Sequence, residues 1–460
     1  MSVTRIFIAN RGEIALRVIR AATAAGLETV LGVSEADRDS LPARMASRTV
    51  CLGPAPASAS YLNIDAVVTA AKGTGCDALH PGYGFLAENA ALADLCAAQG
   101  ITFIGPRGDT IRALGDKITA RGLAETAGVP VVPGRDQITD FADAKVAAAA
   151  IGYPVLLKAT AGGGGRGMQV VRSEADLQPA FDTARAEARA AFGNDTLYLE
   201  RFIGKARHVE VQVLGDRFGT VLHLGERDCT LQRRHQKIVE EGPALHVPAA
   251  IVAQMRAAAV DLAASVGYEG AGTVEFIYDT DASAFYFLEV NTRIQVEHPV
   301  TEMLTGVDLV AQQIRIANGL PLDLAQSDII LTGHAIECRI TAENAAAGFR
   351  PSPGLITSWQ APTGVDIRLD SHCHAGYNVP PYYDSLLGKL IVTGPDRDTA
   401  LARMRAALQE FVVEGIDTTL PFLQALLARS EFEKGTVSTR WVEAVMQEPD
   451  FSEQVNRGQR

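Results

Sequence analysis

The chain has 460 residues, 47% of them hydrophobic and 21% charged, with a formal net charge of −12. That length is too great for one ordinary core and predicts two or three domains. The acidic balance argues against nucleic acid or an anionic membrane as main partner, and no run approaches the roughly 18 apolar residues of a membrane helix. The N-terminus passes directly into a strand pattern, without a signal-peptide layout. Cysteines at 51, 76, 96, 229, 338 and 373 form no Cys-x-x-Cys pair and read as free thiols of a reducing, cytoplasmic setting. His372-Cys373-His374 completes no metal set and reads as structural.

Residues 5 to 105 alternate strand and helix signals: strands at 5–9, 28–33, 78–80 and 101–104, helices at 13–25, 61–72 and 88–99. This pattern predicts a parallel sheet of βαβ units. The first βα turn, Asn10-Arg11-Gly12-Glu13, has one glycine and does not match a dinucleotide fingerprint. Gly128-Val-Pro-Val-Val-Pro-Gly134 marks a boundary. A smaller unit follows over 134–203, with strands at 153–158, 168–172 and 196–202 and a helix at 173–192. From 204 the pattern shifts to longer antiparallel strands at 208–214 and 221–224. The last third mixes strands at 333–340 and 388–393 with a helix at 397–411.

Between the strands at 153–158 and 168–172 lies Lys158-Ala-Thr-Ala-Gly162-Gly-Gly-Gly-Arg-Gly167. It matches G-x-G-x-x-G, but a strand follows where a Rossmann loop or P-loop needs a helix. A strand–loop–strand flap whose backbone N–H groups close over phosphates fits better, because consecutive glycines are entropically costly in a plain turn. Lys158 could meet the same anion. Lys117, in Gly115-Asp-Lys117 before a helix, and Lys237, in Gln232-Arg-Arg-His235-Gln-Lys237, are further cationic candidates. His235 and Lys237 share a face if that run is extended. The chain has only eight lysines, and three fall in these motifs.

Two β-prone runs, Gly272-Thr-Val-Glu-Phe-Ile-Tyr278 and Phe285-Tyr-Phe-Leu-Glu-Val-Asn291, flank the turn signal at 279–283. Symmetric folding about residue 282 sets Glu275 opposite Glu289 and Thr273 opposite Asn291. Like charges directly opposite destabilise a sheet, so a bound cation is the simplest explanation, and hard oxygen ligands suit Mg²⁺ or Mn²⁺. A register shifted by one or two residues would instead leave both acids in water. Beyond the hairpin the odd positions read Glu289, Asn291, Arg293, Gln295, Glu297, and the even ones Val290, Thr292, Ile294, Val296. If extended, one face is apolar and the other carries carboxylate, amide and guanidinium in alternation.

These motifs resemble the biotin carboxylase component of biotin-dependent carboxylases, within the ATP-grasp superfamily. The resemblance spans residues 3 to 445. It also rests on Ile8-Ala-Asn-Arg-Gly-Glu-Ile14, His80-Pro-Gly-Tyr-Gly-Phe-Leu-Ala-Glu-Asn89, Glu226-Arg-Asp-Cys229, Glu337-Cys-Arg-Ile340 and Pro380-Pro-Tyr-Tyr-Asp384. Gly242, where many relatives carry Ala, and the Ala-rich 134–150 stretch depart from it. The resemblance implies a multidomain α/β and α+β fold. Its parts are a Rossmann-like parallel sheet (1–115), linker helices (116–133), an ATP-grasp lid (134–203), a central ATP-grasp domain (204–330) and a mixed C-terminal region (331–446).

The same resemblance implies the site. Lys117, Lys158 and the loop glycines Gly163, Gly164, Gly165 and Gly167 would contact ATP phosphates. Glu200 and Ile203 would flank the adenine, and His208, Gln232 and His235 would line the nucleotide site. Glu275, Glu289 and Asn291 would hold Mg²⁺ or Mn²⁺, two ions in all. Lys237, Arg293, Gln295 and the Val296 backbone would hold bicarbonate, Glu297 would be its base, and Arg339 would stabilise the biotin enolate. No Met-Lys dipeptide occurs, so biotin belongs to a separate carrier protein, with a separate carboxyltransferase. A homodimer and an acyl-CoA acceptor, acetyl-CoA first, are also implied. Another ATP-grasp ligase would keep the metal residues without needing the Arg293, Gln295, Glu297 series. A non-enzymatic nucleotide sensor would lack at least one of Lys237, Glu297 and Arg339, and all three are present.

Overall fold

A computed structural model describes residues 3–159, 168–192 and 195–458. The N-terminal parallel sheet has five strands, in the spatial order Arg48–Gly53, Glu28–Ser34, Arg5–Ile8, Ala78–His80, Thr102–Phe103. Alternate residues of the central strand serve different cores. Ile6 and Ile8 pack with Ile14 and Val18 on one side, and Phe7 packs with Val67 and Leu92 on the other. Helices on both faces explain why the short strands read as continuous apolar runs. The Arg48–Gly53 edge strand was not expected, because it is largely exposed and only Val50 and Leu52 turn toward the core.

The 134–203 region holds a four-stranded antiparallel sheet ordered Gly134–Ile138, Leu197–Arg201, Val155–Ala159, Gln169–Val171. Val155 pairs with Val171 and Leu157 with Gln169, so the strand–loop–strand reading holds. The loop glycines Gly163, Gly164, Gly165 and Gly167 lie outside the described residues. The Ala-rich stretch, unassigned from sequence, forms the helix Phe141–Ile151. Asp140 caps it, accepting from Asp143 N at 2.8 Å, and Ala144, Ala147 and Ala148 are its buried face.

An eight-stranded antiparallel sheet forms the rest of the frame. Its order is Ala284–Asn291, Gly270–Asp279, Ala206–Gly215, Val221–Arg233, Gln236–Gly242, His334–Thr341, Leu386–Gly394, Ile367–Ser371. Gln236–Gly242 pairs with His334–Thr341, so one sheet runs continuously across residue 330. Gly242 sits where a Cβ would lie 2.9 Å from Leu304 Cδ1, so an alanine there requires Leu304 to yield. Among the described residues, no helix is long and apolar enough to cross a membrane.

Glu241 ties this sheet to the C-terminal helices. Its Oε2 accepts from Arg397 Nε at 2.6 Å and lies 2.9 Å from His334 Nε2. Arg397 also donates to the carbonyls of Phe432 and Glu433, at 2.9 and 2.8 Å. Burial alone would raise the Glu241 carboxyl, but His334 and Arg397 outweigh it and hold it at about 2. A folded-state pKa below the unfolded one gives stability that is present above the unfolded value and lost as pH falls through the folded one. This linkage is worth about 3 kcal/mol. Glu241→Gln should therefore unfold at lower temperature near neutral pH, and its deficit should shrink between about pH 4.5 and about pH 2. Thermal unfolding of both proteins across that range checks it; a deficit independent of pH would refute the linkage.

Candidate active site

The site is built on the Gly270–Asp279 and Ala284–Asn291 hairpin. Glu275 stands opposite Glu289, and Thr273 opposite Asn291, as symmetric folding predicts. The path differs from that expectation. At the tip Asp279 pairs with Ala284 and Tyr278 with Phe285, one residue short of symmetry about 282. An extra residue, Leu288, then bulges between Phe287 and Glu289 and restores the register.

The strand ends at Asn291, and residues 292–297 form a bend rather than the extended run expected. The alternation survives because the even positions are anchored. Val290, Thr292 and Ile294 are buried, and Ile294 joins the core of Ile6, Ile8 and Ile14. Burying such a side chain contributes about 1.5–3 kcal/mol, enough to hold the bend against the N-terminal sheet. Opposite, Arg293 donates to Asn291 Oδ1 at 2.9 Å and Gln295 Oε1 at 3.0 Å. Asn291 Nδ2 and Gln295 Nε2 both reach Glu275 Oε1, at 2.8 and 3.1 Å. Asn291 thus offers Glu275 its N–H, and its carbonyl oxygen is taken by Arg293.

Lys237 is the hub. Its Nζ lies 2.5 Å from Glu210 Oε2, 2.7 Å from Glu275 Oε1 and 2.7 Å from Glu297 Oε1. Arg339 closes the other side, 2.9 Å from Glu297 Oε2 and 2.6 Å from Glu240 Oε1. Burial would raise the Glu297 carboxyl, but Lys237, Arg339 and Arg227 overcome it and hold it well below the usual range. Both Glu297 oxygens are therefore paired, and the residue is fully buried rather than presented on the cleft wall.

A cleft of about 1830 Å³ runs between the four-stranded sheet and the eight-stranded one. Among the described residues, every candidate site residue except Glu297 lines it: Lys117, Lys158, Glu200, Ile203, His208, Gln232, His235, Lys237, Glu275, Glu289, Asn291, Arg293, Gln295, Val296 and Arg339. Lys117 opens the helix Lys117–Thr126, capped by Asp116, which accepts from Thr119 N at 2.9 Å. Lys158 pairs with Glu200 across neighbouring strands. Ile203 packs with Val132, Ala206, Ile277 and Tyr286 as an apolar wall. His208 Nε2 is 3.0 Å from Glu275 Oε2, and its Nδ1 is 3.0 Å from Gln232 Nε2. His235 does not share a strand face with Lys237. Arg234 and His235 form the hairpin turn, at φ +49° and +66°, while Lys237 pairs with Gln232.

Glu275 and Glu289 face each other as a cation site requires, while Asn291 Oδ1 accepts from Arg293 and both Glu275 oxygens meet protein donors. Surrounding protein and the facing Glu275 both push the Glu289 carboxyl up, although Glu289 opens to the cleft. A cation there relieves that repulsion. Glu289→Gln should lose at least about tenfold in activity, and raised Mn²⁺ should restore part of it. Activity titrated against metal checks this; a folded variant with unchanged metal dependence rules Glu289 out as a ligand.

Sequence reasoning missed several members. Glu210 and Arg227 are fully buried and paired at 2.6 Å. The alternation His208, Glu210, Gln212 in an otherwise Val-rich strand was a readable signal. Glu88, inside the His80–Asn89 motif, accepts from Arg293 Nε at 2.9 Å and from Thr292 N at 3.1 Å. Glu240 and Lys389 carried no local signal.

A cleft between a small antiparallel flap unit and an antiparallel sheet, with lysines from both and acids paired across a hairpin, defines an ATP-grasp enzyme. The family description "Biotin carboxylase, N-terminal domain" matches residues 2–111, "Carbamoyl-phosphate synthase L chain, ATP binding domain" 116–325 and "Biotin carboxylase C-terminal domain" 337–444. The chain is 51% identical to Biotin carboxylase 1 of Bacillus subtilis over 442 residues, covering 96% of this chain and 98% of that one. It is 48% identical to a pyruvate carboxylase component of Methanothermobacter thermautotrophicus, covering 96% and 89%. It superposes with a TM-score of 0.89, at 45% identity, on the 2-oxoglutarate carboxylase biotin carboxylase domain dimer of Hydrogenobacter thermophilus, a complex with MgADP and bicarbonate, covering 98% and 99%. The chain belongs to the biotin carboxylase family and is the biotin carboxylase component of a biotin-dependent carboxylase.

Proposed function

We propose that this cleft carboxylates N1 of biotin on a separate carrier protein, at the expense of ATP and bicarbonate. The observation that carries the reading is the Lys237, Glu297, Arg339 string beside Arg293 and Gln295. ATP needs its phosphate charge neutralised before an anion can attack it. Lys117, Lys158 and the 162–167 loop would serve the phosphates, with Glu200 and Ile203 at the adenine and His208, Gln232 and His235 alongside. Glu275, Glu289 and Asn291 would hold Mg²⁺ or Mn²⁺, which supplies charge neutralisation at the transferring phosphoryl group. The Hydrogenobacter complex with MgADP and bicarbonate supports this ligand set.

Bicarbonate would sit among Lys237, Arg293, Gln295 and the Val296 N–H. Its oxygen attacks the γ-phosphorus, ADP leaves, and the bicarbonate proton passes to Glu297. An anion that draws Lys237 and Arg339 toward itself weakens their hold on Glu297, which raises its pKa toward that of a useful base. The resulting carboxyphosphate breaks to CO₂ and phosphate. Phosphate takes the ureido N1 proton, Arg339 stabilises the enolate oxygen, and N1 attacks CO₂. We further propose that residues 134–203 act as a lid, that the protein is a homodimer, and that a carboxyltransferase passes the carboxyl group to an acyl-CoA, acetyl-CoA first. Relatives with other acceptors, such as the Methanothermobacter pyruvate carboxylase component, make a carboxyltransferase-coupled assay the test of that last step.

ATP hydrolysis by the purified chain should depend on bicarbonate and be stimulated by free biotin. Equal rates with and without bicarbonate would overturn the assignment.

A further inference from the structure

The Asn10-Arg11-Gly12-Glu13 turn and Lys389 have no part in the mechanism above, yet they are among the most buried polar groups in the fold. Lys389 is fully buried, and its Nζ donates to the Val296 carbonyl at 2.8 Å. The same Nζ lies 3.1 Å from Glu13 Oε1 and 3.9 Å from Asp370 Oδ2. Glu13 also accepts from the Tyr83 hydroxyl. Asn10 Nδ2 donates to the carbonyls of Pro81 and Tyr83, at 2.7 and 2.8 Å, fixing the segment that carries Tyr83.

In open parallel sheets this turn, at the carboxyl ends of the strands, is where ligands bind. Here the chain fills it: Arg11 and Glu13 are buried, and Arg11 pairs with buried Asp37 at 2.8 Å. We propose that Lys389 and Glu13 are positioning residues that brace the bicarbonate-holding bend from behind. This rests on the reading that the Val296 backbone holds bicarbonate. The Val296 carbonyl belongs to the peptide unit joining Val296 to Glu297. Pinning that unit orients the Val296 N–H one Cα back and the Glu297 side chain one Cα forward. A buried ammonium needs a counter-charge to stay in place, and Glu13 supplies it from the N-terminal sheet. The N-terminal unit thus sets the geometry of a site whose ligands all come from other parts of the chain.

The test is a charge-balanced double variant, Lys389→Met with Glu13→Gln, which removes the ammonium together with its nearest carboxylate and leaves Asp370 paired with Arg368. The KM for bicarbonate should rise about tenfold or more, while the KM for ATP changes less than about threefold. Bicarbonate-dependent ATPase of the unsubstituted enzyme, measured alongside, separates failure of the bicarbonate reading from failure of the brace. A purely structural role would leave both KM values near the original once the fold is intact, and a folded double variant with unchanged bicarbonate KM overturns the proposal. If the double variant does not fold, Lys389→Arg is read the same way, since its longer head displaces the Val296 carbonyl but keeps the charge. A selective rise in bicarbonate KM supports the brace, and no change overturns it.

Discussion

Glu297→Ala should abolish bicarbonate-dependent ATP cleavage, whereas Arg339→Ala should retain much of it and lose carboxybiotin. Removing a general base costs roughly 10²–10⁴-fold, and removing a group that stabilises an oxyanion roughly 10²–10³-fold. The two losses fall on different steps, because a guanidinium helps only where negative charge develops on the ureido oxygen, after phosphoryl transfer. The contact between Arg339 Nη2 and Glu297 Oε2, at 2.9 Å, adds a second effect. Without Arg339, one of the cations holding the Glu297 carboxyl down is gone, so its pKa should rise. The acid limb of the ATP-cleavage profile should then move to higher pH in Arg339→Ala. Phosphate release and carboxybiotin measured in parallel decide the matter. Proportional loss of both products in both variants would sink the stepwise assignment.

The sequence showed the hairpin partners clearly because two constraints agreed: β-prone runs of matching length, and acids that have no reason to face each other without a cation. It did not show how the register arises. A tip one residue tighter and a bulge at Leu288 cancel in the count, and only backbone pairing separates that from a symmetric turn. The Ala-rich helix Phe141–Ile151 stayed hidden because a face of Ala144, Ala147 and Ala148 gives almost no contrast with its other side. That His235 sits in a turn was not legible, because polar turn residues and polar strand residues look alike until their φ angles are known. The largest gap concerned Glu297. Its position in the odd-numbered series was legible, but its enclosure was not. Lys237 and Arg339 come from strands that meet the bend only in three dimensions, and Lys389 reaches the same bend from 93 residues away in sequence.

Lys237→Met should be the most damaging single change in the cleft, for two separable reasons. Three carboxylates, Glu210, Glu275 and Glu297, converge on one ammonium, and all three are buried. Breaking a buried ion pair by removing one partner costs about 3–5 kcal/mol, since the remaining charge is uncompensated. Arg227 still serves Glu210 and Arg339 still serves Glu297, whereas Glu275 keeps no lysine or arginine, only His208 and the amides of Asn291 and Gln295. Catalysis should fall at least about a hundredfold, because the same ammonium is proposed to hold bicarbonate. Glu275 is also a proposed cation ligand, so added Mn²⁺ has more repulsion to relieve in the variant than in the original protein. The variant should melt well below the unsubstituted protein, and Mn²⁺ should raise its melting temperature by more than it raises that of the original, without restoring turnover. Thermal unfolding with and without Mn²⁺, paired with the ATPase assay, reads both parts. An unchanged melting temperature with no extra stabilisation by Mn²⁺ would show that Lys237 is not the counter-charge of this cluster.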